Sequence, residues 1–480
     1  MHLMSTSGTA PELCFLSACE LVRLAKSGKV SAREVMAAHI AQIERVNPIV
    51  NAIVTLLDPD DLLAKASLLD ESKARGENPG PLYGLPIAHK DLVPTRGIRT
   101  TFGSPLFRDF VPDHDGLIVQ RLNAAGAITI GKTNTPEFGA GSQTFNPVFG
   151  KTLNPYDLTK TCGGSSGGAA TALACGMLPL ADGSDFGGSL RNPASFCNVV
   201  GLRPSPGRVP VWPSVVSWFP LLVEGPMART VEDAALMLSA IAGPDPRSPI
   251  AITEPGHQFA GSLMRDWPGT RIAWSQDLGG LPVDPRVTEV LEGQRGTFEM
   301  LGCELHDREP DFTGADEVFQ SWRAWFYELS FSGLLQTGRD QIKDTVVWNI
   351  EAGQQLTGPQ LGQAEIKRTV LYHRVREFME EYDFLALPVS QVPPFDVEKS
   401  FVREINGTAM ESYIDWMRSC FYISVLGLPA ISVPCGFTPE GLPVGLQIVG
   451  KHQDDLGVLQ LAHAFQTAAW TDTPRPSLAV

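Results

Sequence analysis

The sequence predicts an α/β protein, a mixed or parallel sheet covered by helices, and three observations carry that expectation. Up to about Gly243, short apolar runs alternate with helix-periodic segments, and glycine and proline punctuate the joins. Core-like runs return late in the chain, in "DFLALPVS" and "LPAISVPCG". A chain of 480 residues, 43% hydrophobic and 19% charged, can bury a large core, as two domains or as one large domain with an insertion.

Taken in order, "SACE" (17–20) and "SARE" (31–34) are capping boxes, a hydroxyl followed three residues later by an acid. The second opens a helix with Met36, Ile40 and Ile43 on one face, and Pro48 is expected to end it. "NAIVTLL" (51–57) reads as a buried strand. A helix follows, with Pro59 at its start and Gly76 beyond its end. "GLPIAHKDL" and "GAITIGKTNTPEF" read as short strands running into loops, and "AATALACGMLPLA" as an apolar helix. Residues from about 270 to 375 are richer in charge and helical periodicity and read as an inserted helical region. About 60–250 form the core that carries the motifs. No repeat, low-complexity run or polar linker divides the chain, so residues 1–480 are expected to form a single large domain.

Composition narrows the partners. A net charge of −15 disfavours nucleic acid and anionic membranes, which call for a basic face. No apolar run approaches the ~18 residues of a membrane span, and "MHLMSTSGTAPELCF" has neither a basic start nor an apolar core of a signal peptide. The eight cysteines are scattered without a C-x-x-C pair and read as reduced thiols, so a cytoplasmic protein, or at least one made for a reducing compartment, is expected. Neither H-E-x-x-H nor paired C-x-x-C occurs, so no metal is expected, and no cofactor either.

The motif that asks for chemistry is "CGGSSGGAA" (162–170), two serines between two glycine pairs. A phosphate-binding loop would need a lysine after the second pair, but Ala169 follows Gly168. A flexible linker would not run straight into an apolar helix. The remaining reading is a functional turn. It is strengthened by "DGSDFGGSLRNPASF" (182–196), a second serine among glycines, whose successive amides can form an anion-holding nest.

Together with "GLPIAHKDL", "GLRPSPGRVP", "YDFLALPVS" and "LGLPAISVPCGFTPEGLPVGLQIVG", these stretches resemble the amidase signature enzymes over most of the chain. The resemblance implies a central mixed twisted sheet with helices on both faces and an inserted helical region. It also implies a Ser–cis-Ser–Lys triad. Lys90 matches the lysine, Ser165 the serine after a cis peptide bond, and Ser189 the nucleophile; the amides of Phe186, Gly187, Gly188 and Ser189 match the oxyanion hole. Phe186 departs from the small or β-branched residue often found there.

The chemistry agrees on its own terms. A serine hydroxyl needs a base within hydrogen-bond reach. No histidine sits in a nucleophile-like motif, and His89 points to the opposite strand face from Lys90. A lysine serves only if burial or a cationic neighbour keeps its amine neutral. Asp185 and Arg191 are expected to support the turn. Asn134, Thr135 and Gln143, in a loop resembling one that lines the family's site, are substrate-contact candidates, as are Trp212 and Trp218. The aromatics of "FQSWRAWFYELSF" (319–331) read as core or substrate wall.

The expected activity is hydrolysis of neutral amides, anilides and carbamates, with esters as further substrates; the partner is a small molecule, and the chain is a monomer or homodimer. The alternative is an amidotransferase-type subunit that works on tRNA-bound glutamate with partner subunits. Such subunits usually carry "GLKPTYGRVSR" where this chain reads "GLRPSPGRVPVWP". A binding protein on an inactive scaffold would need a triad member missing, and all three are present.

Overall fold

The computed structural model describes residues 10–469 and 474–480; the expected absence of a signal peptide concerns residues mostly outside this span. Among the described residues, β1 (Ile53–Leu56), β2 (Pro86–Lys90) and β3 (Ile128–Thr133) form a three-stranded sheet in the order β1-β3-β2. A small hairpin follows, β4 (Phe145–Asn146) with β5 (Gly150–Lys151). Then come β6 (Leu180–Asp185), β7 (Val200–Arg203), β8 (Val223–Ala228), β9 (Arg271–Trp274), β10 (Glu304–Asp307) and β11 (Phe384–Pro388). After a second hairpin, β12 (Glu404–Ile405) with β13 (Thr408–Ala409), the chain adds β14 (Ala430–Phe437) and β15 (Pro443–Val449). The central sheet has eight strands in the order β10-β9-β11-β15-β14-β7-β8-β6. It is mixed: β10, β9 and β11 run parallel, and the other pairings are antiparallel. The expected α/β architecture with helices packed on a mixed sheet is the one present.

Local chemistry explains the early helices. Ser31 accepts from the Glu34 amide while the Glu34 carboxylate reaches back to the Ser31 amide at 2.7 Å, a complete capping box. Ser17 makes only half of one, because Glu20 turns to Arg23 at 2.7 Å. Pro48 does not end its helix, which runs Ala32–Val50. The helix stops at Asn51, whose left-handed backbone (φ 54°) ends it.

The apolar helix Gly167–Ala174 is entirely buried and packs against β2, β3 and β6, so it lies between the two sheets. Gly168 is required there by closeness: a Cβ would come 2.3 Å from the Asn134 amide nitrogen. The opening glycines of this helix thus serve tight packing of backbone on backbone.

The stretch from about 270 to 375 is not wholly helical. It supplies β9 and β10, which close one edge of the central sheet, and β9 pairs in register with β11. Its helices are Ala315–Phe331, Asp344–Gln354 and Gly358–Glu381 among others, the last extending past the expected limit. Both strands are only four residues long, too short for an alternating pattern to stand out against the helices around them.

Candidate active site

Lys90 ends β2, and its side chain is completely buried. Its amide donates to Asp182 Oδ1 at 3.0 Å, which fixes the strand end against β6. Its Nζ lies 2.7 Å from Ser165 Oγ and 3.0 Å from Ser184 Oγ. Burial pushes the ammonium down to about 7, against the opposing pull of Asp185, Asp182 and Glu224. Nζ donates to Ser165 Oγ, and the lowered value favours its neutral form relative to an ordinary lysine.

Ser165 follows a cis peptide bond with Gly164 and precedes the buried helix. Ser189 lies on the turn after β6; its carbonyl accepts from the Ser166 amide at 3.3 Å, which ties the two glycine-rich turns together. Both serines open onto one cavity of about 550 Å³. Lys90 thus reaches Ser165, and Ser165 shares a cavity wall with Ser189.

The turn that carries Ser189 is held by a buried carboxylate. Asp185 accepts from the Gly188 amide at 2.8 Å and the Leu190 amide at 3.1 Å, and pairs with Arg191 and Arg203 at 3.0 Å each. Burial alone would raise this carboxyl, yet the two guanidiniums and the Gly188 amide hold it well below the usual carboxylate range. Arg191 extends the network to Gln447 and Ser424. The expected support role for Asp185 and Arg191 is what these contacts provide. Of the four amides expected to form an oxyanion hole, that of Gly188 is the one that donates to Asp185. Among the described residues, the amides of Phe186, Gly187 and Ser189 have no hydrogen-bond acceptor outside the strand ladders. Gly188 itself has φ 120°, and a Cβ there would come 2.4 Å from the Cys420 Cβ.

Of the expected contact residues, Trp212 lines the cavity and Trp218 does not; Trp218 is 76% exposed. Asn134, just after β3, is buried against the hairpin, donating to Thr152 Oγ1 at 2.9 Å and accepting from the Thr135 amide. Gln143 donates to the Lys399 carbonyl at 2.6 Å and borders a neighbouring cleft. Asn134, Thr135 and Gln143 are absent from the cavity wall because their polar atoms are spent on holding the loop.

Phe186 does two jobs at once, lining the cavity while packing on Phe219, Phe319 and Phe326. Phe326, Tyr327 and Phe331 of the helix Ala315–Phe331 join Phe102, Phe107, Phe110 and Phe138 on the wall, whereas Phe319 stacks on Phe421 in the core. Three polar residues escaped the sequence reading. Ser184 was signalled by alternation, since it shares a strand face with Asp182. Glu224 stands opposite Ser184 on β8. Arg323 lines the cavity amid four aromatic rings, bonded to Asn349 and Tyr413.

Comparison with known proteins follows the same lines. A family model described as Amidase matches residues 34–459. An acylamidase of Rhodococcus erythropolis is 36% identical over 479 residues, covering 98% of this chain and 100% of that protein. A glutamyl-tRNA(Gln) amidotransferase subunit from Geobacillus kaustophilus is also 36% identical, covering 96% of this chain and 99% of its own. The crystal structure of a bacterial aryl acylamidase superposes with a TM-score of 0.89 at 29% identity, covering 95% of this chain and 96% of the other. With the family model, the relatives and the fold in agreement along nearly its full length, the chain belongs to the amidase family.

Proposed function

We propose that this amidase-family enzyme hydrolyses neutral carboxylic amides and anilides, and aryl carbamates at the same carbonyl, through a covalent intermediate on Ser189. The observation that carries the reading is the buried Lys90 amine, 2.7 Å from Ser165, beside a cavity that also holds Ser189. Neutral Lys90 takes the Ser165 proton as Ser165 takes that of Ser189, and Ser189 Oγ attacks the carbonyl carbon. The uncommitted amides of Phe186, Gly187 and Ser189 receive the oxyanion. The relay returns the proton to the leaving nitrogen as the C–N bond breaks, and water then releases the acyl group. Most of the wall is apolar, which suits aryl and alkyl groups at roughly 25 cal/mol per Å² buried and discriminates weakly between chain lengths.

Ser189→Ala is expected to abolish turnover and covalent labelling by a serine-directed phosphonate while the far-ultraviolet circular dichroism stays unchanged. Labelling retained in that variant would remove Ser189 from its role. A panel of acetanilide, aliphatic amides, phenylcarbamates and p-nitrophenyl esters then ranks the substrates.

A second reading, the amidotransferase-type subunit, draws on the equal identity to the Geobacillus protein. It requires glutamine to outperform acetanilide in kcat/KM in the presence of partner subunits and glutamyl-tRNA. The aromatic wall, ill-suited to the polar glutamine side chain, favours the first reading.

A further inference from the structure

Glu224 is the one acidic side chain among the described residues that line the cavity. It lies on β8 directly opposite Ser184 of β6, and paired residues of antiparallel strands project to the same face. Ser184 Oγ is 3.0 Å from Lys90 Nζ, so Glu224 stands on the Lys90 side of the sheet. Its carboxyl group is part-buried and makes no hydrogen bond or salt bridge with the described residues. Its oxygens are not sealed in the core but open onto the cavity, where a donor on a ligand can reach them. The other charged side chains on the wall are already engaged: Arg323 with Asn349 and Tyr413, and His114 with Asp113 at 2.8 Å.

We propose that Glu224 is a subsite for a protonated amine carried by an apolar ligand or substrate, an aryl- or alkylammonium whose hydrocarbon body lies along the aromatic wall. This deepens the amide-hydrolase reading and rests on it for the statement that the ligand is a substrate. Two considerations favour a cation over a neutral donor. A charge-assisted bond to an ammonium is about twice as strong as a neutral one in such surroundings. The cation also relieves a conflict, because without it Lys90 is the cation that Glu224 attracts, and a charged Lys90 is no base. Lys90, Asp182 and Glu224 face one another here; burial, with Asp182 in the same direction and Lys90 opposing, pushes Glu224 up to about 8. Binding of a cation at neutral pH therefore expels protons from the Lys90–Glu224 pair.

The test is titration calorimetry of the intact protein with benzylamine and with benzyl alcohol at pH 7, in two buffers of different ionisation enthalpy. The expected result is at least about tenfold tighter binding of benzylamine, a difference of about 1.4 kcal/mol, accompanied by proton release. Glu224→Gln should remove that preference. Equal affinity for the two ligands, absence of proton release, or a preference that survives in Glu224→Gln would overturn the proposal. If Glu224→Gln fails to fold, the affinity ratio and proton release of the unaltered protein decide. Benzylamine is not hydrolysed, so this outcome is independent of turnover: loss of phosphonate labelling would defeat the amidase reading and leave the amine site standing.

Discussion

Lys90 is where one side chain decides the pH behaviour. Its ammonium is driven down to about 7, chiefly by burial, and only the uncharged amine can accept a proton. Activity should therefore rise with pH through about 7 and level off above it, read as log kcat/KM against pH with a neutral anilide. Lys90→Arg should be inactive across the whole range, since a guanidinium stays charged. Lys90→Ala and Ser165→Ala should each lower kcat/KM by several orders of magnitude, and together by far less than the product, because members of one relay are not additive. At this scale the sequence was most informative where chemistry dictates residue type: Lys90, Ser165 and Ser189 stand in glycine-flanked or strand-end motifs with few other uses. Glu224 and Arg323 were illegible, because a lone acid in "LVEGP" or a lone arginine in a helix carries meaning only once folding places it beside a cavity.

Among the elements, the turn after β6 matters most, and it is a scaffold built around Asp185. Its carboxylate holds two amides of the turn and two buried guanidiniums, so removing its charge strands both cations. Asp185→Asn should cost about 3–5 kcal/mol in urea unfolding and displace Ser189 enough to abolish activity. Gly188→Ala meets both a φ of 120° and a Cβ contact of 2.4 Å with Cys420, so its loss of activity should exceed its loss of stability, as measured by kcat and melting temperature together. Element types could be read from capping and periodicity, and so could the order of the early strands and helices. The helix Ala315–Phe331 shows the limit. Phe319 and Phe326 lie two turns apart on one amphipathic face, yet one stacks in the core and the other also borders the cavity. Periodicity reports which side is apolar and is silent on whether protein or empty space lies opposite.

For the molecule as a whole, buried titratable groups set the acid limit of stability. His39 is fully buried and pushed down to about 4, chiefly by burial, so folding favours its neutral form. A depressed folded value means that its contribution is intact above the unfolded value, near 6.5, and is lost as pH falls through about 4. Asp185, held far below its ordinary value, adds a loss at still lower pH. The His39 contribution to the melting temperature should thus fall between pH 6.5 and 4, read as the difference between the unaltered protein and His39→Leu over that range. The two sheets were not separable in the sequence, because strands of both read alike as short apolar runs. Their division has a mechanical consequence. Lys90, the base of the proposed relay, ends a strand of the three-stranded sheet, while Ser189, its proposed nucleophile, follows a strand of the eight-stranded one. Turnover is therefore a gauge of how the two halves of a seam are aligned, and a slip of about 1 Å along it silences the enzyme with every strand still in place. In a graded urea series, anilide hydrolysis should vanish at concentrations where the fluorescence of Trp274, buried in the larger sheet, has yet to change.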